Sequence, residues 1–263
     1  MKKRILLYFV AFSLGFAIVI GQLLPSLSTT TVNAITATAP VSWGVNPNTE
    51  GRTPEPPKNG AKLLEEYDSF FVMPPDSNAK KVYFTFDLGY EAGYTAEVLD
   101  ILLEHNIKGV FFLCGNYLQE TALINRMLQE GHEIGNHTDK HKDLPTVSQD
   151  AIAKDIIDFD TKYKAAFEGN PNLRFFRPPK GNFCQHTLRI AKENNLRTMM
   201  WSIAIVDWGK EEIDAKKSAD KITSRAHDGA IILLHITNAG TPKMLRLLIP
   251  QLQQAGYTVG SFA

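Results

Sequence analysis

The chain has 263 residues, 44% of them hydrophobic, and its 28 Lys plus Arg balance 28 Asp plus Glu. That length supports one large core, and a barrel of strands and helices commonly fits it as a single domain. With no basic run beyond Lys2-Lys3-Arg4, the charge pattern excludes the footprint expected of a nucleic-acid partner.

The basic trio precedes an apolar run over 5–24, then Pro25 and a Ser/Thr-rich stretch ending in Val32-Asn33-Ala34. Residues 1–34 read as an export signal with a small-residue cleavage site. The run also approaches the roughly twenty residues that span a bilayer, so an uncleaved anchor is the alternative and the one expected membrane contact. Either way the rest of the chain is expected outside the cytoplasm. There a disulfide between Cys114 and Cys184 is allowed, and two isolated thiols fit equally well. Over 35–79 the composition shifts to Pro, Asn, Gly and charge, which marks a linker or an ordered arm with one short helix over 61–67.

The catalytic domain is expected over 80–263, where short β-branched or aromatic runs alternate with helical patterns. Strands are expected at 82–86, 109–113, 133–135, 174–176, 198–203, 230–234 and 258–262. Between them, 92–105, 121–130, 148–167, 185–194, 211–227 and 241–255 carry apolar residues at three- and four-residue spacing. Ser148 is placed to cap the longest helix, and Gly131 and Gly256 stand where helix ends take a left-handed residue. Seven strands alternating with helices imply an α/β fold, most simply a distorted (β/α) barrel of about seven parallel strands. An open doubly wound sheet is the alternative, but no glycine-rich phosphate loop follows the first strand.

Active sites of such barrels lie at the strand C-termini. Asp87 follows the first expected strand, His137 the third, Arg177 the fourth, Asp207 the fifth after a few residues, and His235 the sixth. Singly, each has a plain reading: a turn-forming acid, a surface arginine, a core histidine. Together at successive strand ends they form a candidate site for metal-assisted hydrolysis, with His137 and His141 spaced to grip one ion.

Thr85-Phe86-Asp87-x-Gly89, His137-x-x-x-His141, Arg177-Pro178-Pro179-Lys180-Gly181, Asp207-Trp208 and Leu233-Leu234-His235 resemble, in order, the five motifs of the polysaccharide deacetylases of carbohydrate esterase family four. Gly89-Tyr90-Glu91, Trp43-Gly44 and the stretch from Trp201 to Trp208 are similar to the branch of peptidoglycan N-acetylmuramic acid deacetylases, or δ-lactam-biosynthetic de-N-acetylases. The resemblance implies an exported cell-wall hydrolase of a sporulating Gram-positive cell, acting on peptidoglycan glycan strands in the spore cortex. It implies Asp87 as general base, Arg177 as its partner, His235 as general acid oriented by Asp207, and His137 and His141 as ligands of a divalent ion. Glu91, Trp208, Leu233, Pro179 and Gly181 are the expected substrate contacts, with Glu91 read alternatively as an acid of the first helical turn.

Most of the wider family carries a metal-binding aspartate directly after the base, where this chain has Leu88. The imidazoles favour zinc or another transition metal over magnesium or calcium. Two other readings stay open: a deacetylase of N-acetylglucosamine or chitin-like glycans, and a catalytically impaired wall-binding module.

Overall fold

The computed structural model describes residues 40–47, 49–75 and 79–262, and the expected export segment lies outside them. Among the described residues no helix is long and apolar enough to cross a membrane. The chain forms β1 (Val41–Ser42), α1 (Lys58–Glu66), β2 (Lys80–Leu88), α2 (Thr95–Glu104), β3 (Val110–Leu113), α3 (Thr121–Gln129), β4 (Glu133–Asn136), α4 (Gln149–Ala166) and β5 (Phe175–Phe176). It continues with β6 (Asn182–Phe183), α5 (Gln185–Glu193), β7 (Arg197–Thr198), β8 (Ile203–Ala204), α6 (Ala215–Ser224), β9 (Ala230–His235), α7 (Gly240–Gln254) and β10 (Tyr257–Val259).

Seven strands pair in the order β7-β5-β4-β3-β2-β9-β8, and β10 lies beside the first residues of β2. Every pairing in this sheet is parallel. The result is the distorted, half-closed barrel expected from the alternating elements. Alternation along β2 explains its two buried faces. Val82, Phe84, Phe86 and Leu88 pack with apolar residues of the surrounding helices, whereas Tyr83 joins Phe112, Phe175, Met199, Ile231 and Phe262 in a second cluster.

The local signals act as their chemistry dictates. The Ser148 hydroxyl accepts from the Ala151 N–H at 3.3 Å and opens α4, while Gly131 and Gly256 take φ of +81° and +83° after α3 and α7. The expected strand over 198–203 is instead two short strands. Met199 donates to Phe176 on one sheet edge and Ser202 to Ile231 on the other, so this run leaves one edge of the half-barrel and joins the opposite one.

The arm is ordered over its described residues. β1 pairs antiparallel with β6, and Phe70 and Val72 make bridges to Met199 and Ala230. Leu63 and Leu64 of α1 pack with Val41, Trp43, Phe183, Leu188 and Met200. Both cysteines are free and buried, and Cys184 begins α5, with its N–H bonded to the Thr187 hydroxyl.

Candidate active site

Parallel pairing continues one residue past the strands and sets the site in a row. Cys114 donates its N–H to Leu88, His137 to Leu113, and Arg177 to Asn136, at 2.9–3.0 Å. On the other side of β2, Asp87 lies opposite His235 in the β2–β9 register. Side chains from five strand mouths thereby meet without any loop having to find them.

Arg177 is fully buried, and its Nη1 donates to Asp87 Oδ1 at 2.8 Å and to the Thr85 hydroxyl at 3.0 Å. Its Nε donates to the Met199 carbonyl at 2.9 Å, and its guanidinium lies 4.1 Å from the centre of the Phe112 ring. A cation held on three sides cannot swing away from its acid. Burial pushes the Asp87 carboxyl up, but Arg177, His137 and His235 outweigh it and hold it below the usual carboxylate range.

The opposite preference is built around His235. Asp207, itself fully buried, accepts from the His235 N–H at 2.6 Å and lies 2.8 Å from its Nδ1. This pairing assigns a proton to Nδ1 and leaves Nε2 for the cleft. Burial pulls the imidazole pKa down, yet the bond and charge of Asp207, helped by Asp87, raise it overall.

His137 and His141 come from a tight loop after β4 in which Thr138 and His141 both have left-handed backbone, φ 67° and 52°. Bonds to Asn136 and Thr138 side chains hold that shape, and α4 anchors it through Asp155 to the N–H groups of Asp139 and Lys140. His137 Nδ1 faces the Arg177 carbonyl at 2.8 Å, so Nε2 carries the lone pair, 3.6 Å from Asp87 Oδ2. Burial, opposed by Asp87, brings the His137 pKa down to about 4, which keeps the ring in its ligand form. Ligand atoms of His137, His141 and Cys114 all lie within 4.8 Å of one another. This nitrogen and sulfur donor set fits a borderline or soft transition ion. Leu88 is fully buried in the apolar cluster shared with the helices and offers no donor.

These residues face a cleft of about 760 Å³, whose wall includes Asp87, His137, His141, His235, Trp208, Leu233 and Gly181. Leu233 is 5% exposed and Trp208 58%, so the indole stands open to solvent at the cleft edge. Gly181 has φ +70°, and a Cβ there would lie 2.6 Å from the Trp201 ring. Glu91 and Pro179 do not line that wall. The Glu91 carboxylate turns to the start of α2, accepting from the Gly93 N–H, the Thr95 hydroxyl and the Tyr117 hydroxyl, and Pro179 is buried outside the cleft wall.

The cleft also contains Tyr90, Lys180 and Trp201, which the motifs include without a role; Cys114, left as a thiol of no assigned role, is buried beside His137 and not in the cleft wall. Cys114 carried a usable signal: it directly follows the second expected strand, one of the two strand ends left without a polar candidate.

The geometry has close counterparts. Residues 75–199 match the family model described as polysaccharide deacetylase. The chain is 37% identical over 224 residues to the peptidoglycan-N-acetylmuramic acid deacetylase PdaA of Bacillus subtilis, covering 84% of each. It is 32% identical over 198 residues to a peptidoglycan-N-acetylglucosamine deacetylase of Bacillus cereus, covering 73% of this chain and 70% of that one. The solved structure of Bacillus subtilis PdaA, a family 4 carbohydrate esterase, superposes with a TM-score of 0.78 at 36% identity, over 85% of this chain and 95% of that one.

Proposed function

Because the chain belongs to the polysaccharide deacetylase family, the family 4 carbohydrate esterases, we propose that it removes the N-acetyl group of N-acetylmuramic acid in peptidoglycan strands, releasing acetate. The observation that carries this reading is a pair of opposed partnerships on neighbouring strand mouths: Asp87 is bonded to Arg177, which favours its anionic form, and His235 to Asp207, which favours its cationic form. Glycan binding alone requires no such separation of base from acid.

Asp87 takes a proton from the attacking water as its oxygen bonds to the acetyl carbonyl carbon. Arg177 keeps the carboxylate ionised and aimed throughout. His137 and His141 would hold a divalent ion, which would supply Lewis-acid chemistry there. His235 then passes its Nε2 proton to the amide nitrogen, a poor leaving group until protonated, and the C–N bond breaks to acetate and a free amine. Asp207 offsets the charge of the imidazolium before that transfer and keeps the ring in its orientation.

The muramic assignment is supported by the likeness to PdaA and by Lys180, the one lysine in the cleft wall among the described residues. A peptide-stripped muramic residue carries a lactyl carboxylate that glucosamine lacks, and an ammonium is a fitting partner for it. The freed amine sits beside the lactyl-bearing carbon, and its condensation with that carboxylate, a C–O bond broken as the C–N bond forms and one water lost, gives a six-membered lactam. This chemistry supports muramic δ-lactam formation in the spore cortex, with the protein exported to act there. The test is incubation of the full chain with peptide-stripped glycan strands, with and without chelator, reading acetate and muramic amine by mass spectrometry. No acetate with any added metal overturns the hydrolase reading, and deacetylated glucosamine alone overturns the muramic one.

A further inference from the structure

We propose that Cys114 is the third protein ligand of the metal site, supplying a thiolate in place of the carboxylate that Leu88 lacks. The inference rests on the reading of His137 and His141 as metal ligands.

Three observations converge on it. First, Cys114 directly follows Leu113, the register partner of Leu88, and its N–H is bonded to the Leu88 carbonyl at 2.9 Å. It therefore stands at the strand mouth between Leu88 and His137. Second, its Sγ, both imidazoles' ligand atoms included, belongs to a group of donors lying within 4.8 Å of one another, and Sγ is 3.4 Å from the His137 carbonyl. Donors sharing one tetrahedral ion, with zinc–sulfur near 2.3 Å and zinc–nitrogen near 2.0–2.1 Å, stand roughly 3.5 Å apart, so modest side-chain rotations close the set. Third, two of the nearby carboxylates are committed elsewhere. Asp87 is bonded to Arg177, and Asp139 to Lys162 at 2.6 Å. Cys114 has no disulfide partner and is buried; burial and the nearby acids keep it a neutral thiol in the absence of an ion, and its sulfur is the donor grouped with the two imidazoles on that side.

A thiolate preserves the single negative charge that an aspartate would bring to the ion, while making the site softer. Two imidazoles and one thiolate favour zinc or cobalt over magnesium or calcium and leave the fourth tetrahedral position open for water or substrate. As the sulfur–metal bond forms, the S–H bond breaks and its proton passes to solvent, one proton for each ion bound.

The test loads the metal-free full chain with Co²⁺ and follows its absorption, with Zn²⁺ affinity measured by chelator competition. The expected result is a thiolate-to-cobalt charge-transfer band in the near ultraviolet, kept in Cys184→Ser and lost in Cys114→Ser. Zinc affinity is expected to fall at least about tenfold in Cys114→Ser. Cobalt binding without the band in the unsubstituted protein overturns the proposal and leaves a two-histidine site. Absence of any cobalt or zinc binding overturns it together with the metal reading. The band is read without a variant, and thermal melting checks that Cys114→Ser is folded. Acetate release, assayed in parallel, tells loss of the proposal apart from loss of the deacetylase reading.

Discussion

At the scale of single residues the site separates a base from an acid by giving each a buried partner of opposite charge. Asp87→Asn keeps the shape and the Arg177 contact but cannot accept the water proton. Turnover is expected to fall about 10²–10⁴-fold with the melting temperature little changed, and near-normal turnover would refute the assigned base. The His235 pair makes a pH statement. As the proposed acid His235 would act in its protonated form, and Asp207 raises its pKa, so the pair is expected to extend activity toward alkaline pH. Asp207→Asn removes that support; the alkaline limb of kcat/KM is expected to move to lower pH as the maximum falls, and an unmoved limb would dissociate Asp207 from the acid. Lys180→Gln is expected to raise KM about tenfold on peptide-stripped muramic strands, the loss of one charged hydrogen bond, without affecting chitin oligomers. An equal loss on both would make Lys180 a general wall residue. Asp87, His137, Arg177, Asp207 and His235 were legible in the sequence because each follows an apolar run at or near a strand mouth. Glu91 was legible only as one of two readings: its carboxylate serves the start of α2, as the helix-acid alternative expects, while Tyr117, 26 residues away, joins it only through the fold.

At the scale of elements, the loop 136–141 is held against α4 and the turn after β3 with little spare volume. Gly115 is required there: a Cβ would come within 1.9 Å of Asp139 Oδ1 and 2.7 Å of its carbonyl. Gly115→Ala is expected to destabilise the fold by about 1–3 kcal/mol through overpacking and to weaken zinc binding at the proposed metal site, since Asp139 lies between His137 and His141. Urea denaturation and chelator competition read the two effects, and unchanged zinc affinity would show that the loop yields without moving His137 or His141. Helices α2 to α5 and α7 were readable from spacing and caps because their signals are local. The strand run 198–203 was misread as one element for a physical reason: its division depends on β5 and β9, partners that an apolar run alone does not reveal. The two-residue pairing of β1 with β6 is shorter than any alternation pattern can register.

At the scale of the molecule, the half-barrel and the arm share one wall of the cleft. Trp43 of the arm donates from Nε1 to the Trp201 carbonyl at 2.9 Å, and its N–H bonds to Gly181 at 3.0 Å. Both partners line the cleft. Its ring meets Phe71 edge-on at 5.3 Å and fills the small core beneath α1. The arm therefore backs the substrate wall, a role its Pro- and Asn-rich composition did not disclose, because composition reports the lack of helix or strand and not what an irregular segment packs against. Trp43→Ala removes a buried indole and is expected to cost about 3–5 kcal/mol. It should also raise KM on glycan strands more than it lowers kcat, because Trp201 and Gly181 lose their support while Asp87 and His235 keep their own partners. Trp43→Phe retains most of the packing but not the bond to Trp201, and is expected to recover most of the stability and only part of the KM. A stability loss below about 0.5 kcal/mol in Trp43→Ala, the range of ordinary surface substitutions, would reduce the arm to a tether. Stability lost with KM unchanged would confine it to folding and separate it from the cleft.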